Sequence, residues 1–187
     1  MTEQQPYEVV SRETGFEIRR YPAHIVAETT IAGSFTDAGN RAFRSLFNYI
    51  GGANQSRQPV AMTAPVLQSR TQRIAMTAPV AQRAEAGRFV VAFVLPANMT
   101  MATAPTPTQP EVTLREVPAR MAAATRYSGR WTQKAFDSHR AALLSGIAAA
   151  GMTAGGEVQF ARFDPPFKPS FLRHNEVVID LVNSDVA

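Results

Sequence analysis

The chain has 187 residues with a net charge of +4, 45% apolar and 18% charged side chains, which suits one well-buried globular domain and is short for two. It contains no cysteine, so disulfides, thiolate chemistry and Cys-ligated metal or iron–sulfur sites are excluded. No stretch approaches the roughly 20 apolar residues that span a bilayer, and the N-terminus lacks a basic segment followed by an apolar run, so a cytoplasmic location is expected. From the N-terminus, Tyr7–Ser11 and Phe16–Tyr21 read as strands separated by the turn signal Glu13-Thr14-Gly15. Pro22 breaks the run, His24–Ile31 resumes as a β-branched strand, and Gly33-Ser34 ends it. A helix is expected from Thr36 to Ile50, with Thr36 as N-cap, Asp37 at the positive end of the dipole and Gly51-Gly52 as the stop. Its apolar residues Phe43, Leu46, Phe47 and Ile50 recur at helical spacing on one face.

Two more strands are expected within Val60–Ala81 and Arg88–Leu95. Pro96–Pro110 is too dense in proline for regular structure and reads as a linker. The plan then repeats: strands Val112–Val117 and Arg120–Tyr127, a helix from Thr132 to about Ala150 ended by Gly151, and strands Glu157–Phe163 and Glu176–Val182. The repetition is visible residue by residue. At an offset of 96 positions, Arg19, Pro22, Ala23, Ala27, Thr29, Gly33 and Thr36 meet Arg115, Pro118, Ala119, Ala123, Thr125, Gly129 and Thr132. Two copies at so long a period indicate a duplicated half-domain, not a solenoid. The expectation is one domain over 1–187 with half-repeats at about 7–95 and 111–182 and a linker at 96–110. Its fold class is α+β: an antiparallel sheet with two helices packed on it, curled so that two pseudo-twofold βαβ-type halves meet. A cleft between or beside such halves is a natural ligand site.

Lys134 and Lys168 are the only lysines, and the arginines are scattered. Arginine suits carboxylate and phosphate partners, but the same scatter serves as ordinary surface charge, and no nucleic-acid motif accompanies it. No catalytic fingerprint of the GxSxG, P-loop, HExxH or dinucleotide type occurs. His24, His139 and His174 match no zinc spacing. The hexapeptide AMTAPV occurs at Ala61–Val66 and again at Ala75–Val80. It reads either as the shared packing motif of a hairpin, with methionine as an adaptable filler, or as a soft apolar wall for a flat ligand. In ARFDPPFKPSFLRHNEVVIDL, residues 161–181, three prolines among three phenylalanines stiffen a loop that holds Lys168.

Taken in order, YEVVSRETGFEIRRYP, AFRSLFNYIGGANQ, AMTAPV, VTLREVPAR, YSG and ARFDPPFKPSFLRHNEV resemble the SOUL haem-binding protein family, from about Tyr7 to Leu181. The resemblance implies a distorted, barrel-like antiparallel sheet flanked by two helices, and reversible, loose, non-covalent binding of haem or another tetrapyrrole, as carrier, buffer or sensor. It places the groove along the apolar face of the first helix, with basic side chains at the propionates. Carried over, Phe43, Leu46, Phe47 and Ile50 face the macrocycle, Phe163 and Lys168 border it, and Met62 or Met76 belongs to its wall. Where some members carry a basic residue late in the first helix, this chain has Asn48, and where one branch has a proposed axial histidine it has Arg20. Both departures point away from tight iron ligation. Two other readings stay open: an enzyme, a hydrolase or isomerase of a hydrophobic small molecule with a buried carboxylate base, and an effector-sensing or protein-interaction module.

Overall fold

A computed structural model describes residues 3–57 and 71–182 of the chain. Nine strands form the main sheet: β1 (Glu8–Glu13), β2 (Phe16–Tyr21), β3 (His24–Ile31), β4 (Val80–Glu85), β5 (Arg88–Val94), β6 (Thr113–Val117), β7 (Arg120–Tyr127), β8 (Ala154–Arg162) and β9 (Asn175–Leu181). Helix α1 (Phe35–Gly51) follows β3, and α2 (Gln133–Ala149) follows β7. The first AMTAPV copy, with Met62, lies outside the described residues. In the second copy, Thr77–Ala78 pairs in parallel with Glu3–Gln4. The proline-rich linker is not wholly irregular, because Thr106–Pro107 pairs with Asn54–Gln55.

Both helices start where a hydroxyl meets a free backbone N–H. Thr132 accepts from Ala135 N at 3.2 Å, as its sequence position suggested. The cap of α1 is Ser34, not Thr36: Ser34 Oγ accepts from Asp37 N and donates to Asp37 Oδ2. Gly33, at φ 142°, turns the chain after β3 early enough that Ser34 meets the orphan N–H and Thr36 falls inside the first turn.

The sheet order is β6-β3-β5-β4-β8-β9-β7-β2-β1, and every neighbouring pair is antiparallel. Leaving out β1, the order reads the same from either end when β2, β3, β4 and β5 are exchanged for β6, β7, β8 and β9. Strands β2 and β3 are joined by two residues, Pro22 and Ala23, yet stand six places apart in the sheet, and Pro118-Ala119 joins β6 to β7 across the same separation. Six places on a flat sheet cover about 29 Å, whereas the link reaches at most about 11 Å. The sheet therefore rolls up. It does not close: among the described residues β6 and β1 stand at its two ends, so the barrel-like expectation is met by a curled, open sheet.

Both helices lie on one face. Under α1, Leu46, Tyr49 and Ile50 pack against Ile25, Ala27, Val91 and Phe93. Under α2, Leu143 and Ile147 join Phe16, Ala123, Phe160, Val177 and Ile179. Residues of alternate parity, such as Val26, Ala92, Val94 and Val178, point to the opposite, concave face.

Candidate functional site

Helix α1 buries one side in the sheet and leaves a flank of aromatic rings. Phe43 and Phe47, one turn apart, stack at 5.7 Å, and Phe43 meets Phe93 edge-on. Phe47 remains 51% exposed. Opposite this flank runs the loop that follows β8. Asp164 ties that loop down by accepting from Lys168 Nζ at 2.7 Å and from His174 N at 2.6 Å. Burial alone would raise the Asp164 carboxyl, but those two bonds hold it below its usual range. Arg173 donates to the carbonyls of Lys168 and Pro166. Between flank and loop lies a cavity of about 420 Å³ lined by Phe43, Met76, Trp131, Phe163 and Phe167 among others, within the usual range of small-molecule sites. Phe167 is 86% exposed at its mouth.

The floor of this groove carries a charge that no acid among the described residues neutralises. Arg162, the last residue of β8, is 8% exposed. One nitrogen donates to Gln82 Oε1 at 2.5 Å, and Gln82 is itself held by donating to Phe35 O. Its guanidinium lies 5.0 Å from the Trp131 ring and 5.1 Å from that of Phe160. Among the described residues it has no carboxylate partner, and its Nε is buried without an acceptor. Burial pulls it below its ordinary value, to about 10. Gly39 of α1 makes room for it, since a Cβ at that position would run into Nη2. The buried hydroxyl of Thr77, also in the lining, has no partner among the described residues either.

Residues 2–180 match the model of the SOUL heme-binding protein family. The chain belongs to that family. It is 26% identical over 163 residues to Heme-binding protein 1 of Xenopus tropicalis, covering 87% of this chain and 81% of that protein. Among solved structures, the C-terminal domain of EcmrR superposes with a TM-score of 0.59 at 11% identity, covering 95% of this chain and 98% of that one. A hydrolase from Listeria innocua gives 0.58 at 10% identity, with 92% and 94% covered. These two likenesses show a shared fold.

Against this SOUL fold, the residues proposed from sequence separate. Phe43 and Phe163 line the groove. Phe47 stands beside it, stacked on Phe43. Leu46 and Ile50 are buried against the sheet and do not line the cavity, because an apolar stripe at 3-1-3 spacing is wider than the flank that remains free. Lys168 borders the loop but is engaged with Asp164 and does not line the cavity. Asn48 is exposed, and Arg20 pairs with Glu8 on the outer strands. Arg162 was missed. It sits in the same ARFDPPF run, but its isolation appears only once Gln82 and Gly39 are brought to it.

No histidine lines the groove. His24 lies on the concave face beside Gln5, and His139 stacks on Tyr127 at 4.0 Å. His174 stacks on Phe163 at 4.0 Å and meets Glu176 at 2.7 Å. Among the described residues no group of three or more His, Asp or Glu side chains could hold a metal ion, and no helix is long and apolar enough to cross a membrane.

Proposed function

We propose that this SOUL-family protein binds haem, or another tetrapyrrole bearing carboxylates, reversibly in the groove between α1 and the loop after β8, as a carrier, buffer or sensor. The observation that carries this reading is Arg162, a buried guanidinium without an acid at the bottom of an aromatic groove. Haem has the complementary form: a flat apolar ring with propionates on one edge. Burying the ring against Phe43, Trp131, Phe163 and Phe167 contributes about 25 cal/mol per Å² of apolar area, reduced by the cost of association. A propionate on Arg162 neutralises the buried charge through charge-assisted hydrogen bonds, which are about twice as strong as neutral ones. Met76 is the soft donor in the lining, and the groove supplies shape and charge. Haem, when bound, would supply an iron centre. Release is then governed by ring contact and one ion pair, which suits reversible loading.

The enzymatic reading finds less support. A buried carboxylate base would have a raised pKa, whereas the shifted carboxyls among the described residues, Glu28, Asp164 and Glu176, are all lowered. The test is a haemin titration followed by absorbance, on the native protein and on Arg162→Gln. Affinity is expected to fall about tenfold or more, the size of one lost charge-assisted bond. A folded Arg162→Gln protein that binds haemin as the native protein does would place the ligand elsewhere.

A further inference from the structure

The loop after β8 leaves three large apolar side chains in water within six positions: Phe167 is 86% exposed, Phe171 74% and Leu172 56%. The loop that carries them is fixed. Arg173 donates to the carbonyls of Pro166 and Lys168, on either side of Phe167, and so holds Phe171 and Leu172, the two residues before it, close to that ring. Gly129 N donates to Ser170 O at 3.0 Å and fastens the loop to the segment that follows β7. An exposed apolar patch with a polar rim marks a surface that meets a protein or a membrane.

The backbone here is prepared to leave water. Pro165, Pro166 and Pro169 have no N–H. The N–H groups of Lys168, Leu172, Arg173 and His174 are bonded to Pro165 O, Pro169 O, Ser170 O and Asp164 Oδ2. Seven of the ten residues 165–174 therefore present no free backbone donor, which removes much of the cost of carrying a loop out of water.

The rim is basic. Arg130 lies between two residues that touch the loop: Gly129, and Trp131, whose ring lies 4.4 Å from the Arg173 guanidinium. Lys134 stands in the first turn of α2. Both are exposed, and among the described residues neither has an acid partner. Lys168 and Arg173 add two more cations. Asp164 is the acid of the loop, tied to Lys168 Nζ and His174 N. Asp137, further along α2, lines a separate cleft with Arg140.

We propose that this loop and the start of α2 dock on an anionic lipid surface, with Phe167, Phe171 and Leu172 in the acyl boundary and Arg130 and Lys134 at the phosphates. A bilayer offers both features at the right depths: negative charge at the rim and hydrocarbon just beneath it. A soluble anion would leave the three side chains wet. A projecting loop also suits a fluid acyl layer, which closes around any shape, whereas a protein partner would need a matching pocket. Phe167 lines the groove between α1 and this loop, so docking turns the mouth of the groove toward lipid. A haem held in the bilayer would then enter without crossing water; that consequence rests on the haem reading, and docking itself does not.

The test floats haem-free protein with vesicles of phosphatidylcholine alone, or of phosphatidylcholine and phosphatidylglycerol in equal parts. Binding to the anionic vesicles is expected to exceed binding to the neutral ones at least about tenfold at low salt, and to weaken as salt rises. Phe171→Ser/Leu172→Ser is expected to weaken it about tenfold or more, because two apolar side chains no longer enter the lipid. Arg130→Gln/Lys134→Gln should weaken it by a similar factor. Hydrogen exchange on the native protein decides even if a variant fails to fold: anionic vesicles should slow exchange in the loop and at the start of α2. Equal binding to neutral vesicles, native affinity in either folded variant, or slowing confined to another surface would each overturn the proposal. So would absence of binding to anionic vesicles, which would leave a protein partner as the occupant. No haem is present in these experiments, so their outcome is separate from whether the groove binds haem.

Discussion

Two buried arginines on opposite faces of one sheet meet opposite fates. Arg19, 3% exposed on the concave face, donates to both oxygens of Glu176 at 2.7 and 3.1 Å, and to Tyr21 and Glu17. Arg162, 8% exposed on the helix face, has a neutral glutamine. Burial works against both charges. For Arg19 it is outweighed by Glu176 and Tyr21, and its pKa rises, whereas for Arg162 nothing comparable opposes burial and the value drops to about 10. A buried cation with its acid is part of the fold. One without an acid is poised for a ligand that brings the acid along.

The largest expected effect breaks the matched pair. Glu176→Gln leaves Arg19 charged and buried, and should cost about 3–5 kcal/mol in denaturant unfolding. Arg162→Met removes a charge that was never matched, and should change stability by less than about 1 kcal/mol, mainly through the unpaired Gln82 amide. If the two variants lose similar stability, the contrast between the arginines fails.

Next in size is Gly39→Ala. On helix propensity alone the methyl stabilises by about 0.5–1 kcal/mol, but it collides with the Arg162 guanidinium. Haemin affinity should drop several-fold while thermal stability holds or falls slightly. A more stable protein with native affinity would show that the guanidinium moves aside at no cost to binding.

Acidity separates the arginines again. Burial alone raises the Glu176 carboxyl, but its bonds to His174 and Arg19 bring it below the usual 4.5. Its folded value lies below its unfolded one, so its contribution is complete above about pH 4.5 and is lost as pH falls through the folded value. Urea melts across the acid range should show this loss in the native protein and a flatter profile in Glu176→Gln. For Arg162 the folded value of about 10 lies below that of an unfolded arginine, so the folded state releases its proton first and stability gains as pH rises between the two. Haemin affinity should weaken in the same alkaline interval.

The smallest effect is expected at Lys168. Its ammonium is bound to Asp164 at the loop surface, so Lys168→Gln should shift haemin affinity by only about 0.2–1 kcal/mol, less at high salt. A loss as large as that of Arg162→Gln would make Lys168 the principal anchor.

Local chemistry determined much of the molecule. Alternation and turn residues placed β2, β3 and β7 at their observed bounds, and Thr132 marked the start of α2, because strand parity and hydroxyl capping are decided within a few residues. The ordered motifs, DPPFKP above all, led to the family. Tertiary structure decided the rest. The roll of the sheet followed from two-residue links across six strand places. The assignment of Leu46 to the core and Phe47 to the groove's flank depended on which side of α1 rests on the sheet. Arg162 could not be recognised as an unmatched charge until Gln82, 80 residues away, and Gly39 stood beside it. An isolated arginine in a sequence looks the same whether or not an acid awaits it, and only packing from distant strands determines which.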